Sequence, residues 1–281
     1  MSAIEDTQGR DDFRKMPIQR VGIKNLKYPL TFINAAGRRT PTVAMWGLAV
    51  DLPHDKKGTH MSRFGEILNA WQDGLSIESM PYFMNMMRER LHADRAFARV
   101  TFAYFIEKEA PVTLTKSFMD YTVAIDASSI HDKMTLSLEV QVPVTTLCPC
   151  SKSISEYGAH NQRSLVTVKA ECETDNFLSI EELVYSVETC ASSELYVVLK
   201  REDEKYVTER AYDHPAFVED LVRDIAIKLS QDARIVRYRV DVTNLESIHN
   251  HDAYAVIESQ SVSSVLSDNG AKHHASPEQH S

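Results

Sequence analysis

The stretch MTLSLEVQV, residues 134–142, sets Leu136, Leu138, Val140 and Val142 on one side of an extended chain and Thr135, Ser137, Glu139 and Gln141 on the other. Side chains alternate across a strand, so this period of two predicts a strand with one dry face and one wet face, as in an antiparallel sheet. RVTFAYFIEK (99–108) and FMDYTVAID (118–126) have a similar β-rich composition. Near the C-terminus IVRYRVDV sets Val236, Tyr238, Val240 and Val242 against Arg237, Arg239 and Asp241.

Helical periodicity alternates with these strands. Ser179 followed by Glu182 predicts a capping box, and Ile180, Leu183, Val184 and Val187 then trace one stripe. Phe217, Leu221, Val222, Ile225 and Leu229 make a second stripe, with Pro215 expected in its first turn. Met61, Phe64, Leu68 and Trp71 form a third, and Met80, Phe83, Met87 and Leu91 a fourth, where methionine reads as core filler. Strand, two helices and strands fill residues 30–145, and the same order fills 164–258. No residue-level repeat is visible. The recurring order predicts an α+β fold of two similar modules, each an antiparallel sheet with helices packed on one face. Sheets of this kind leave edge strands, and pairing those edges between chains to close a barrel is a common remedy, so oligomerisation is expected.

At 281 residues, 43% hydrophobic and 25% charged, the chain is long enough to bury a core without disulfide staples. The first sixteen residues, MSAIEDTQGRDDFRKM, are polar, with no charged-then-apolar leader, and only four cysteines occur, which predicts a cytoplasmic protein. No apolar run approaches the roughly 20 residues of a membrane helix, so no membrane partner is expected. A formal net charge of −9 and a pI near 5.7 argue against nucleic acid as a partner. Residues 1–16 and 261–281 read as disordered tails, the latter including His273 and His274. The expected division of the rest is a first module over 17–147 and a second, with the reactive site, over 148–260.

The segment CPCSKSISEYGAH, residues 148–160, carries the most chemistry. A disulfide between Cys148 and Cys150 would close a strained ring across a single proline, and a redox C-x-x-C motif needs one more residue. A structural zinc site wants four protein ligands, while Cys172 lies in a strand pattern and Cys190 at a helix end, where both read as small buried residues. There remain a structural histidine and an open metal site. In the second, Cys148, His160 and a carboxylate would hold a divalent ion with a vacant position for water.

Lys152 and Arg163, with Ser151, Ser153 and Ser155, form either a solvated loop or a set of donors suited to phosphate oxygens. The acids at Glu202, Asp203, Glu204, Glu209, Glu219 and Asp220 read mostly as wet surface. Glu219, however, falls in the first turn of a helix, where the dipole favours an ionised carboxylate able to accept two N–H bonds from a guanine edge. His249 and His251, two apart after a strand, would share one side of an extended backbone and suit proton transfer, or serve structurally.

Four segments in order, GTHMSRFGEIL (58–68), PVTTLCPCSKSISEYGAHNQRS (143–164), KREDEKYVTERAYDHPAFVEDLVRD (200–224) and ESIHNHDAYA (246–255), resemble the type IB GTP cyclohydrolase I family of the tunnelling-fold superfamily. The resemblance covers roughly residues 17–259. It implies two tandem tunnelling-fold modules per subunit and a homotetramer with active sites at subunit interfaces. It also implies conversion of GTP and water to formate and 7,8-dihydroneopterin triphosphate, leading to folate and in many bacteria to queuosine-type tRNA modification. One divalent ion per site, Zn²⁺, Mn²⁺ or Fe²⁺, is implied, with Cys148, His160 and Glu204 as ligands. The segment KREDEK leaves Glu202 as the alternative to Glu204, and Cys150 is close enough to bind metal when substrate is absent. On the same resemblance Glu219 anchors guanine, and Lys152, Ser153, Arg163 and Arg63 hold the triphosphate. His249 and His251 move protons, while water activated at the metal attacks C8 of the purine.

Two other readings stay open on sequence. One is a tunnelling-fold reductase acting on a deazapurine nitrile, with Cys148 or Cys150 as covalent nucleophile, a nicotinamide cofactor and His160 off the metal. The other is a catalytically silent pterin- or purine-binding scaffold with a structural metal.

Overall fold

Valines at 140, 142, 144, 166, 168, 240 and 242 are completely buried, and the residues between them on each strand are not. That alternation lays a single dry face across neighbouring strands and leaves the opposite face to solvent. The computed structural model describes residues 8, 10–71, 73–131, 133–172 and 176–259. Its strands are β1 (Ile18–Ile33), β2 (Arg39–Leu52), β3 (Arg95–Glu109), β4 (Lys116–Ile130), β5 (Lys133–Leu147), β6 (Asn161–Cys172), β7 (Ile235–Leu245) and β8 (Ala253–Glu258). They form one antiparallel sheet in sequence order, with β1 and β8 at its edges.

The helices are α1 (Ser62–Ala70), α2 (Met80–Leu91), α3 (Pro149–Ile154), α4 (Ile180–Glu188), α5 (Arg201–Asp213) and α6 (Val218–Gln231). α2 packs on β3 and β4, α4 on β5, and α6 on β7 and β8, so the fold is α+β. The order ββααββ occurs twice, with α3 and α5 added to the second occurrence. The division expected at 147/148 falls at the end of β5, whose pairing with β6 runs from Leu136↔Cys172 to Leu147↔Asn161. No helix among the described residues is long and apolar enough to cross a membrane.

The helix stripes form as their spacing predicts, with differences at the ends. Ser179 and Glu182 make the expected capping box on α4. Met80, Phe83, Met84 and Met87 are completely buried on α2, and Phe64, Ile67 and Leu68 on α1 face the same core. Met61, expected in the α1 stripe, lies just before the helix and is exposed. Pro215 precedes α6 and does not lie in its first turn. The Ala216 N–H is spent on Leu147 O at 3.0 Å, and the helix begins only after the Phe217 N–H meets Asp220 Oδ2 at 3.1 Å. α5 is absent from the periodicity because it buries only Asp203 and Ala211.

The N-terminal segment expected to be disordered is pinned where it is described. Gly58 N donates to Gln8 O, Lys57 N to Arg10 O and Asp12 N to Asp55 O, between 2.9 and 3.1 Å. His273 and His274 lie outside the described residues.

Candidate active site

β5 ends at Leu147, and four later segments of chain converge there. The Ser192 hydroxyl accepts from Leu147 N at 3.1 Å, and Thr145 and Ser193 exchange backbone hydrogen bonds. Leu147 O accepts from Ala216 N, which brings the N-terminus of α6 to the same place. Cys148 N donates to His160 O at 3.1 Å, closing residues 148–160 into a loop.

Pro149 stands at the first position of α3, where its missing N–H costs nothing, and Cys148 is the N-cap. The Cys148 Sγ accepts from Ser151 N at 3.4 Å, capping the first turn of α3. Ser151 then ties both ends of the loop together: its hydroxyl donates to Cys148 O at 3.1 Å and accepts from His160 N at 3.2 Å. Cys148 and His160 are therefore brought together by backbone geometry, with Cys150 exposed one residue into the helix. Cys172 is buried and Cys190 half-buried, and burial pushes both thiols up, as befits packing residues.

The β7–β8 loop reaches the same spot. Ser247 Oγ lies 3.4 Å from His160 Nδ1, and two residues further on the His249 and His251 rings stack with centroids 5.2 Å apart. These histidines sit in a bend of the chain, and both are exposed. Glu219 occupies the first turn of α6, exposed, three residues after the Ala216 bond to Leu147. Its carboxylate thus has the helix dipole behind it and solvent in front.

The remaining predicted residues are placed differently. Lys152 Nζ donates to Tyr212 O and lies 4.3 Å from the centre of the Tyr212 ring, so it fastens the C-terminal end of α5 to α3. The Ser153 hydroxyl donates to Cys150 O at 2.8 Å. Glu204 and Glu202 are both exposed near the start of α5, about 12 Å and about 15 Å along the helix from Tyr212. Among the described residues no three Cys, His, Asp or Glu side chains meet closely enough to hold a metal, so Glu204 does not join Cys148 and His160 within one chain. Thiol and imidazole on one tied loop fit a borderline-soft divalent ion as two of its donors, and the third has to be brought to them.

Arg163 is exposed on β6, and strand alternation sends it to the sheet face opposite Gln162 and Ser164. Arg63 lies near the other end of the strands, lining a cavity of about 210 Å³ with Lys56, Thr59, His60 and His92. Asp51, also on that cavity, accepts from Arg95 N at the start of β3. β5 alone is 15 residues long, so the two ends of the sheet are on the order of 45 Å apart. Arg63 and Cys148 of the same chain do not meet.

The family profile described as "Type I GTP cyclohydrolase folE2" matches residues 4–255. GTP cyclohydrolase FolE2 of Ruthia magnifica subsp. Calyptogena magnifica is 50% identical over 262 residues, 92% of this chain and 99% of that protein. GTP cyclohydrolase FolE2 of Aromatoleum aromaticum is 52% identical over 257 residues, 91% of this chain and 94% of its own. Urate oxidase from Bacillus subtilis 168 matches in structure with a TM-score of 0.49 at 9% identity, covering 86% of this chain and 98% of that one, a distance at which it bears on neither fold nor chemistry. With its whole length matched apart from the two ends, and half of its residues shared with relatives of the same extent, the chain belongs to the type I GTP cyclohydrolase folE2 family.

Proposed function

We propose that this protein is a GTP cyclohydrolase I, hydrolysing GTP to formate and 7,8-dihydroneopterin triphosphate at the end of β5. The observation that carries the reading is the loop that ties Cys148 to His160 through Ser151, on a chain whose relatives bear that activity in their names. Cys148 and His160 would hold a divalent ion, Zn²⁺, Mn²⁺ or Fe²⁺, once Glu204 is brought to them as the third donor, with Cys150 as a further thiol when substrate is absent. Bound there, such an ion supplies Lewis acidity that makes water nucleophilic near neutral pH.

The chain's own groups do the rest. Glu219 accepts two N–H bonds from the guanine edge and so fixes the purine relative to the Cys148 loop. His249 and His251, exposed on the loop whose Ser247 meets His160, give and take protons as the imidazole ring of GTP opens, formate leaves and the new ring closes. Positioning of this kind converts a reaction with water into an effectively intramolecular one.

The placement of Arg63 favours a site shared between subunits. It lies at the opposite end of the strands from the Cys148 loop of its own chain, so it reaches a triphosphate bound there only from a neighbouring copy, alongside Lys152, Ser153 and Arg163. We accordingly propose a homotetramer in the cytoplasm, in which the two tandem modules pair their edge strands β1 and β8 to close barrels. The product would enter folate synthesis.

The test is anaerobic incubation with GTP after chelation, with and without added Mn²⁺, following formate and the fluorescence of oxidised pterin. Formate release that chelator abolishes and Mn²⁺ restores is the expected result. Absence of formate under every metal, or turnover indifferent to chelator, would overturn the proposal.

A further inference from the structure

On the helix-facing side of the sheet, three neighbouring strands carry buried valines that give way to polar residues as they approach the Cys148 loop. After Val140, Val142 and Val144 comes Thr146; before Val166 and Val168 come Gln162 and Ser164; after Val240 and Val242 comes Asn244. Thr146 and Ser164 are 0% exposed, Asn244 2% and Gln162 7%. Register brings them together, Thr146 opposite Gln162 and Ser164 opposite Asn244. Four buried polar side chains where valine would pack are costly unless each is bonded, and each is.

The bonds have a direction. Ser164 Oγ gives its single proton to Asn244 Oδ1 at 2.7 Å. At the 2.8 Å contact between Thr146 and Ser164 the proton therefore belongs to Thr146. The Thr146 oxygen in turn accepts from Gln162 Nε2 at 2.9 Å. With its nitrogen so engaged, Gln162 turns its carbonyl Oε1 to His160 Nδ1 at 3.0 Å. A carbonyl oxygen can only accept, so the imidazole proton sits on Nδ1 and the lone pair on Nε2. If Asn244 presented its amide nitrogen instead, every link would reverse and the lone pair would move to Nδ1.

We propose that Gln162 is a positioning residue, set by the chain from Asn244 through Ser164 and Thr146, which holds His160 in the Nδ1–H tautomer and leaves Nε2 as the metal donor. This rests on the reading of His160 as a metal ligand. It gives the ligand the outer partner that metal-bound histidines use to fix tautomer and ring orientation, here from a neutral amide.

The experiment uses the full-length, metal-free protein with ¹⁵N-labelled histidine at about pH 8, above the ordinary histidine range. The His160 ring should show a protonated Nδ1 and an unprotonated Nε2. In Gln162→Leu the preference should be lost and Mn²⁺ binding, followed by electron paramagnetic resonance, should weaken by about tenfold to a hundredfold. Gln162→Glu, which keeps an acceptor facing Nδ1, should restore both. If Gln162→Leu fails to fold, Thr146→Val breaks the chain one link earlier and is expected to mix the tautomers. A protonated Nε2 in the unaltered protein, or an unchanged Nδ1–H signature after these substitutions, overturns the inference. Failure of the metal reading looks different: the tautomer and its dependence on Gln162 hold, in support of the inference, while Mn²⁺ leaves the His160 ring signals unbroadened.

Discussion

Lys108 on β3 and Glu188 at the end of α4 form an ion pair 2.6 Å long, with side chains only 10% and 9% exposed. Tyr121 on β4 donates to the same carboxylate oxygen at 2.8 Å, and Lys108 also donates to Leu195 O at 3.0 Å. The cluster joins strands of the first half of the chain to the segment that leads into Ser192 and Ser193, which bond the end of β5 next to the reactive loop. Burial raises the Glu188 carboxyl despite the ammonium and the phenol beside it. Lys108→Met removes the compensating charge and should destabilise the fold by about 3–5 kcal/mol, read from denaturant unfolding near neutral pH. A carboxyl whose folded pKa exceeds its unfolded value binds more protons when folded. The deficit of the variant should therefore shrink as pH falls through the Glu188 folded pKa toward the ordinary carboxylate range, and grow as pH rises. A deficit independent of pH would show that Glu188 is not the group left stranded.

Asp203 is completely buried at the start of α5, one residue before Glu204. Burial by itself would raise its carboxyl, but Thr113 Oγ1, the N–H groups of Val112, Thr113 and Lys200, and their distances of 2.7–3.0 Å outweigh that and hold it well below the usual carboxylate range. Because the folded pKa is depressed, its stabilisation is present above the unfolded carboxylate value of about 4 and is lost as pH falls below it. Asp203→Asn should lower Tm by several degrees near neutral pH, and the gap between variant and unaltered protein should close on acidification. Thermal scans across that range decide it, and a constant gap would rule out the charged form as the source.

Cys148→Ala removes a half-buried thiol outside the core cluster, so circular dichroism and unfolding midpoint should change little. Formate release from GTP should fall by more than about a hundredfold, beyond what loss of an outer partner of a metal ligand produces. Turnover retained within a few-fold would remove Cys148 from the mechanism.

Glu219→Gln keeps size and the position in the first turn of α6 but replaces one acceptor oxygen by a donor. The KM for GTP should rise about tenfold or more, the scale of one lost charge-assisted hydrogen bond of roughly 1.5–3 kcal/mol. Steady-state kinetics with an unchanged KM would count against guanine binding at Glu219.

Sequence alone determined the elements whose signal is local. Period-two alternation marked β5 and β7, β-rich composition marked β3 and β4, capping and 3.6-residue stripes marked α2, α4 and α6, and the short span from Cys148 to His160 put a thiol and an imidazole on one loop. α5 escaped because it turns no apolar stripe to the core, and its one buried acid looked like its exposed neighbours. The Gln162 cluster had a signal that went unread: Thr146, Gln162, Ser164 and Asn244 are polar residues standing in the apolar phase of their strands. Their meaning depended on register, since only the pairing of β5, β6 and β7 sets them against one another. Tertiary structure also decided that Arg63 stands at the far end of the strands from the Cys148 loop and that, among the described residues, no third Cys, His, Asp or Glu joins Cys148 and His160. Spacing along a chain fixes which side of a strand or helix a residue occupies. Which ends of eight strands come together is fixed only by the global pairing, where loop length and burial compete over the whole sheet.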